Sequence, residues 1–268
     1  MPFVIAIIFF AVIWLGYRYW TKNKLRKQLL RSSLSREDWD IVLEQVPLIH
    51  QLPEHLKMKL QGKINLFLHQ VKFHGCNGLE MNRKMELSIA VQACLLIVNR
   101  NLWYKNLFTI LVYPSAFKSR QANYDGDVIV EEDQARLGES WSHGPVVLSW
   151  EHTEIGAANE KDGNNLVFHE FAHQLDDLSG HTNAIPILAK GQSYAEWEKA
   201  FLDAYERHVQ AIENGNRTFI DEYGAENHVE FLAVTMEVFF EKPKKLHEEE
   251  SEVYEQLSKL LRLDPKSW

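Results

Sequence analysis

The stretch NNLVFHEFAHQLDDLSG, residues 164–180, decides how the rest of the sequence is read. Asn164 or Asn165 can accept hydrogen bonds from the unpaired N–H groups of a first helical turn, and Gly180 suits the left-handed residue that ends a helix. Between them Phe168, Phe171, Ala172 and Leu175 recur at i, i+3, i+4 and i+7, which predicts a helix with one buried face. His169 and His173, four apart, fall on a neighbouring stripe, where two imidazoles can reach one ion at about 2.0–2.1 Å. Glu170 lies between them, offset around the helix. A carboxylate there can take a proton from a water whose pKa a zinc ion lowers from 15.7 towards about 7. With twelve histidines in the chain, HExxH can arise by chance on a surface helix. The caps and the apolar stripe favour the metal-binding reading.

Two histidines do not make a catalytic zinc site, which needs a third protein ligand and one open position. The metzincin pattern requires Gly at 176 and His at 179, where this chain has Asp176 and Ser179. A glutamate on a second helix is the remaining common solution. The segment HVEFLAVTMEVFFE, residues 228–241, carries Glu230 and Glu237 seven apart on nearly one face of an otherwise apolar helix. An unpaired buried carboxylate is costly, so metal coordination is a natural role for one of them, and the residues alone leave the two tied.

SWSHGPVVLSW (140–150), NLVFHEFAHQLD (165–176) and DEYGAENHVEFLAVTMEVFF (221–240), in that order, resemble the Mlc titration factor A family. That family is similar to the anthrax lethal factor catalytic domain, and both are glutamate zincins. The resemblance covers roughly residues 36–265. It implies Glu230 as the third zinc ligand, a supporting role for Glu237, and Tyr223 as a group that hydrogen-bonds the developing oxyanion. It also implies binding and inactivation of a transcriptional repressor that controls glucose phosphotransferase genes. Asp176 can orient an imidazole, position a loop or simply sit at a solvated helix end. His143, His181 and His228 read as surface or loop histidines.

Elsewhere the chain sets limits. Its 29 Lys+Arg against 37 Asp+Glu give a net charge of -8, which disfavours a broad nucleic-acid surface without excluding a local basic patch. Cys76 and Cys94 form no CxxC pair, so neither a disulfide framework nor a cysteine-rich zinc site is expected. Residues 36–72 read as mainly helical from a cap at Ser33 or Ser35, and residues 84–99 as a buried helix. Strands are expected at 107–113, 127–130 and 146–150, with helices on both flanks. The expected class is therefore α+β, a zincin-like domain over 36–268, rather than alternating βαβ units. Residues 144–150 are the candidate edge strand for substrate.

Phe3 to Tyr17 carries no charge, aromatic residues flank it, and Lys22, Lys24, Arg26, Lys27 and Arg31 follow. This predicts an anchor over 1–21 and a basic juxtamembrane linker over 22–35, a single pass through the inner membrane with the catalytic domain in the cytoplasm. The alternative is a cytoplasmic protein whose apolar N-terminal helix docks on the domain or on a partner. The leading functional expectation is zinc-dependent hydrolysis of a peptide or protein substrate, aminopeptidase action included. The alternative is a regulatory protein that sequesters an Mlc-type repressor.

Overall fold

The computed structural model describes residues 2–125, 128–136, 138–140 and 144–268, with the backbone alone at 2, at 4–8 and from 117 to 140. His143, and Asp127 at the head of one expected strand, lie outside the described residues. Helix α1 (Pro2–Leu29) is followed by α2 (Arg36–Gln45) and α3 (Glu54–Gln70), then β1 (Lys72–Gly75), α4 (Arg83–Leu95) and β2 (Thr109–Tyr113). Next come β3 (Phe117–Asp125), β4 (Val128–Arg136), β5 (Gly138–Ser140), β6 (Val146–Ser149) and α5 (Trp150–Ala158). The C-terminal half holds α6 (Leu166–Asp177), α7 (Tyr194–Glu213), α8 (His228–Glu241), α9 (Pro243–Glu249) and α10 (Ser251–Leu261).

The boundaries follow from local chemistry. Ser35 accepts from the Asp38 N–H at 3.0 Å and starts α2, while Asn82 does the same for α4 through Met85. Pro114, which lacks an N–H, follows β2 directly. Residues 96–99 belong to a turn rather than to α4, so that helix is shorter than expected.

Four strands form one sheet in the order β1-β2-β6-β5. β1, β2 and β6 are parallel, and β5 is antiparallel to β6. A helix-rich chain around a small, mainly parallel sheet is thus the architecture, and β1-α4-β2 is the kind of parallel crossover the sequence reading set aside. The candidate substrate strand also needs correcting. β6 is paired on both sides, with β2 and β5, so residues 146–149 are interior and fully buried and have no free edge to offer. Strands β3 and β4 form a separate antiparallel hairpin.

The predicted membrane anchor is overturned. Among the described residues, no helix is long and apolar enough to cross a membrane. The uncharged run from Phe3 to Tyr17 spans about 22 Å at 1.5 Å per residue, against about 30 Å of bilayer hydrocarbon. Arg18, Lys22, Lys24, Arg26 and Lys27 lie on the same unbroken helix. Single-pass placement in the inner membrane is therefore not supported. The C-terminal end of α1 does dock: Leu29 and Leu30 pack on the core, and the Arg26 guanidinium lies 5.2 Å from the Trp103 ring centre. Residues 9–20 are exposed.

Gly62 makes that docking possible, because a Cβ there would lie 2.2 Å from the Leu30 carbonyl oxygen. Alanine in a helix is normally worth about 0.5–1 kcal/mol over glycine, but forcing atoms into a filled contact costs about 1–3 kcal/mol. Gly62→Ala should therefore lower stability by about 1–2 kcal/mol, read as a lower urea midpoint. Gly16→Ala, whose Cβ meets nothing within 4 Å, should not lower it.

Candidate metal centre

Helix α6 opens on Asn165, whose side chain accepts from the Phe168 N–H at 3.1 Å. Phe168, Phe171, Ala172 and Leu175 are each 0–1% exposed, so the predicted stripe is the buried face. The Phe168 ring stacks on Phe240 of α8 at 4.5 Å, and the Phe171 ring meets Tyr104 at 5.1 Å. These contacts fix the rotation of α6 and leave His169 and His173 at the edge of the core. Gly180, at φ +92°, follows the helix as expected.

Helix α8 starts at Asn227, whose side chain accepts from the N–H groups of Val229 and Glu230. Glu230 is thereby held in the first turn, facing α6. His169 Nε2 lies 3.0 Å from Glu230 Oε2, His173 Nε2 lies 3.3 Å from the same oxygen, and the two imidazole nitrogens are 3.2 Å apart. Ligand atoms on a tetrahedron of about 2.0–2.1 Å radius lie about 3.3 Å apart, so the separations suit one small divalent ion. Among the described residues, His169, His173 and Glu230 are the group whose donor atoms converge in this way, all within 4.8 Å of one another.

Glu237, one of the two glutamates the residues left tied, is outside that group. It accepts from His169 Nδ1 at 2.9 Å with one oxygen and from the Asn165 N–H with the other. Burial works against a charged His169, but its bonds to Glu230 and Glu237 outweigh this and hold its pKa well above the ordinary imidazole value. Burial also opposes ionisation of Glu230, yet His169 and His173 keep its carboxyl well below the usual range. At Glu237 burial dominates and raises the pKa.

Glu170 is buried at 4% exposure, near enough for its charge to favour protonated His169. Tyr223 lies in a 3-10 turn (Glu222–Ala225) ahead of α8, 44% exposed, its ring 5.9 Å from that of His169. Three contacts hold this turn. Asp221 accepts from the Tyr223 N–H at 2.9 Å, His208 Nε2 donates to the Asp221 carbonyl at 3.1 Å, and the Tyr205 hydroxyl donates to the Ala225 carbonyl at 3.2 Å. A Cβ on Gly224 would meet Val234 at 2.7 Å, so the turn sits hard against α8.

Asp176 positions a loop. It is fully buried, accepts from the Ala184 N–H at 2.7 Å, and burial pushes its pKa up to about 6. Ala184 has φ 62°, a strained value that this bond helps to hold. His181 is an exposed loop residue, and His228 is exposed with its ring 4.1 Å from Tyr205.

Sequence reasoning missed Gln92, His208 and Glu241. Asn165 Nδ2 donates to Gln92 at 2.8 Å and to Glu241 at 3.0 Å, and Glu241 also accepts from the Gly163 N–H at 2.9 Å. The signal for Glu241 was present, since it stands four residues after Glu237 on the same apolar helix. Gln92 and His208 have no local signal.

The profile of a family described as glucose-regulated metallo-peptidase M90 matches residues 18–262. An uncharacterized protein from Synechocystis sp. is 40% identical over 259 residues, covering 95% of this chain and 93% of its own. Mlc titration factor A from Yersinia pestis is 30% identical over 251 residues, covering 92% of this chain and 89% of its own. The protein of that name from Yersinia pseudotuberculosis matches equally. A metallopeptidase family implies a metal ion, and the histidine, histidine and glutamate set is chemically able to hold one. With a match of this extent over the helices that build the site, the chain belongs to the glucose-regulated metallo-peptidase M90 family.

Proposed function

We propose that this chain is a zinc-dependent peptidase, built on residues 36–268, in which His169, His173 and Glu230 hold the ion and Glu170 and Tyr223 carry the chemistry. The observation behind it is the convergence of three donor atoms from two helices, with separations of 3.0, 3.2 and 3.3 Å. Three protein ligands leave one position open, which separates a catalytic site from a closed structural one. When bound, zinc supplies Lewis acidity, polarising the scissile carbonyl and acidifying water.

The protein groups account for the rest. Glu237 accepts the proton on His169 Nδ1, so Nε2 offers its lone pair to the ion. Glu170 takes a proton from the attacking water and hands it to the departing amine, acting as base and then acid. Tyr223 donates its phenolic hydrogen to the carbonyl oxygen as that oxygen gains charge. Its exposure lets a peptide reach it.

A second reading rests on the name of the Yersinia relatives. Mlc titration factor A, in a family described as glucose-regulated, speaks more directly for sequestration of an Mlc-type transcriptional repressor than for aminopeptidase action. On this reading capture of the repressor is the main role and hydrolysis is secondary. A Glu170→Gln variant separates the two, since capture should survive the substitution and turnover should not.

Glu230→Ala should lose the ion in elemental analysis, whereas Glu237→Ala should keep it at an affinity reduced about 10–100-fold, as for other partners of metal-bound histidines. The reverse pattern would reassign the third ligand. Glu170→Gln should retain the metal but lose about 10²–10⁴-fold in kcat on a cleavable peptide, and full turnover in the loaded variant would remove Glu170 from the mechanism. Tyr223→Phe should lower kcat more than it raises KM, because its bond is made mainly in the transition state. An unchanged kcat would leave Tyr223 with packing alone.

A further inference from the structure

The last turn of α8 borders a second concave site. Glu241 stands eleven residues after Glu230, about 16 Å along the helix at 1.5 Å per residue. There α8 and α9 meet the C-terminal turn at Pro265 to Trp268 and border a half-open cavity of about 360 Å³, within the range of small-molecule sites. None of the metal-centre residues lines it.

Its rim is basic in a chain of net charge -8, with Lys161, Lys242, Lys244 and Lys245 as the cations. Two of these are engaged: Lys161 lies 3.5 Å from Glu160, and the Lys245 ammonium lies 5.6 Å from the Phe219 ring centre. Among the described residues, Lys242 and Lys244 have no ion-pair partner. Glu241, the other acid in the wall, is turned inward onto Gly163, Asn164 and Asn165. Burial pushes its pKa up to about 9, and both its oxygens are committed to these backbone and amide donors rather than to the lysines. Two lysines without an ion-pair partner thus line the cavity, the Lys242 side chain lying against Gly163. Trp268 lines the same space, half-buried, its ring 6.4 Å from that of Phe240 and tilted by 35°.

Two point charges beside an indole define a ligand chemistry. A phosphomonoester carries about -1.5 to -2 at pH 7, which matches two lysines where a carboxylate matches one. Ammonium groups bind phosphate as point charges. The indole offers an apolar face to a ring. We propose that this cavity binds a ring-bearing phosphomonoester, its phosphate held by Lys242 and Lys244 and its ring against Trp268.

Calorimetric titration of the full chain with phenyl phosphate tests this directly, with inorganic phosphate, phenol and benzoate as partial probes. Phenyl phosphate should bind saturably, one per chain, about ten-fold or more tightly than any partial probe. Lys242→Ala and Lys244→Ala should each weaken it about ten-fold, the ordinary worth of a charge-assisted bond. Trp268→Ala should weaken phenyl phosphate but not inorganic phosphate. Lys242→Gln serves if the alanine variant does not fold, and unchanged metal content checks that the distant centre is intact. Absence of saturable binding, equal binding of phenyl phosphate and inorganic phosphate, or indifference to both lysine changes would overturn the proposal.

Discussion

Glu237 joins two tasks in one buried carboxylate. One oxygen accepts the backbone N–H of Asn165, at the mouth of α6, and the other accepts His169 Nδ1. The helix that carries both histidines is thereby tied to α8, the helix that supplies Glu230. A carboxylate at 5% exposure is expensive to desolvate. Two hydrogen bonds offset that cost, and removing one partner of such a buried pair costs about 3–5 kcal/mol. The arrangement also constrains the imidazole, since a ring held at Nδ1 can offer only Nε2 to an ion.

The surroundings of the pair are arranged around it. Asn165 caps α6 with its side-chain oxygen and uses its amide to reach Gln92 on α4 and Glu241 at the end of α8. Three helices therefore meet at one asparagine. Gly156 of α5 allows this, because a Cβ there would sit 3.1 Å from both Asn164 O and Asn165 Cα. On the other side, the Phe168–Phe240 stack supplies apolar contact where the polar network stops. Position of the histidines is thus set by buried interactions, while the donor atoms themselves stay near the surface, with 13% side-chain exposure at each histidine. That combination suits a centre that must be rigid and still admit a ligand.

Much of this was legible in the chain. The apolar stripe, Asn165 and Gly180 bound α6, and the four-residue spacing of His169 and His173 placed them on one side of it. Glu230 and Glu237 remained tied because heptad spacing puts both on one face, and only the approach of α6 separates them: the first turn of α8 faces Nε2 and the third faces Nδ1. Gln92 and His208 were invisible because their partners lie 73 and 13 residues away, a separation no local pattern encodes. β6 gains one neighbour, β2, from 36 residues earlier in the chain and the other, β5, from a three-residue strand too short to leave a period-two pattern, so nothing local marks it as interior. At α1 the uncharged run and the basic residues after it suggest an anchor, but the run falls short of a bilayer and the basic residues continue the same helix.

The central claim is that Glu237 orients His169 while Glu230, not Glu237, completes the metal set. Diffraction from zinc-soaked crystals of the full chain, with anomalous data at the zinc edge, tests it most directly. The account predicts one anomalous peak bound by Nε2 of His169, Nε2 of His173 and a carboxylate oxygen of Glu230, with Glu237 still on Nδ1 of His169. A peak coordinated by Glu237, or no peak between α6 and α8, would contradict it.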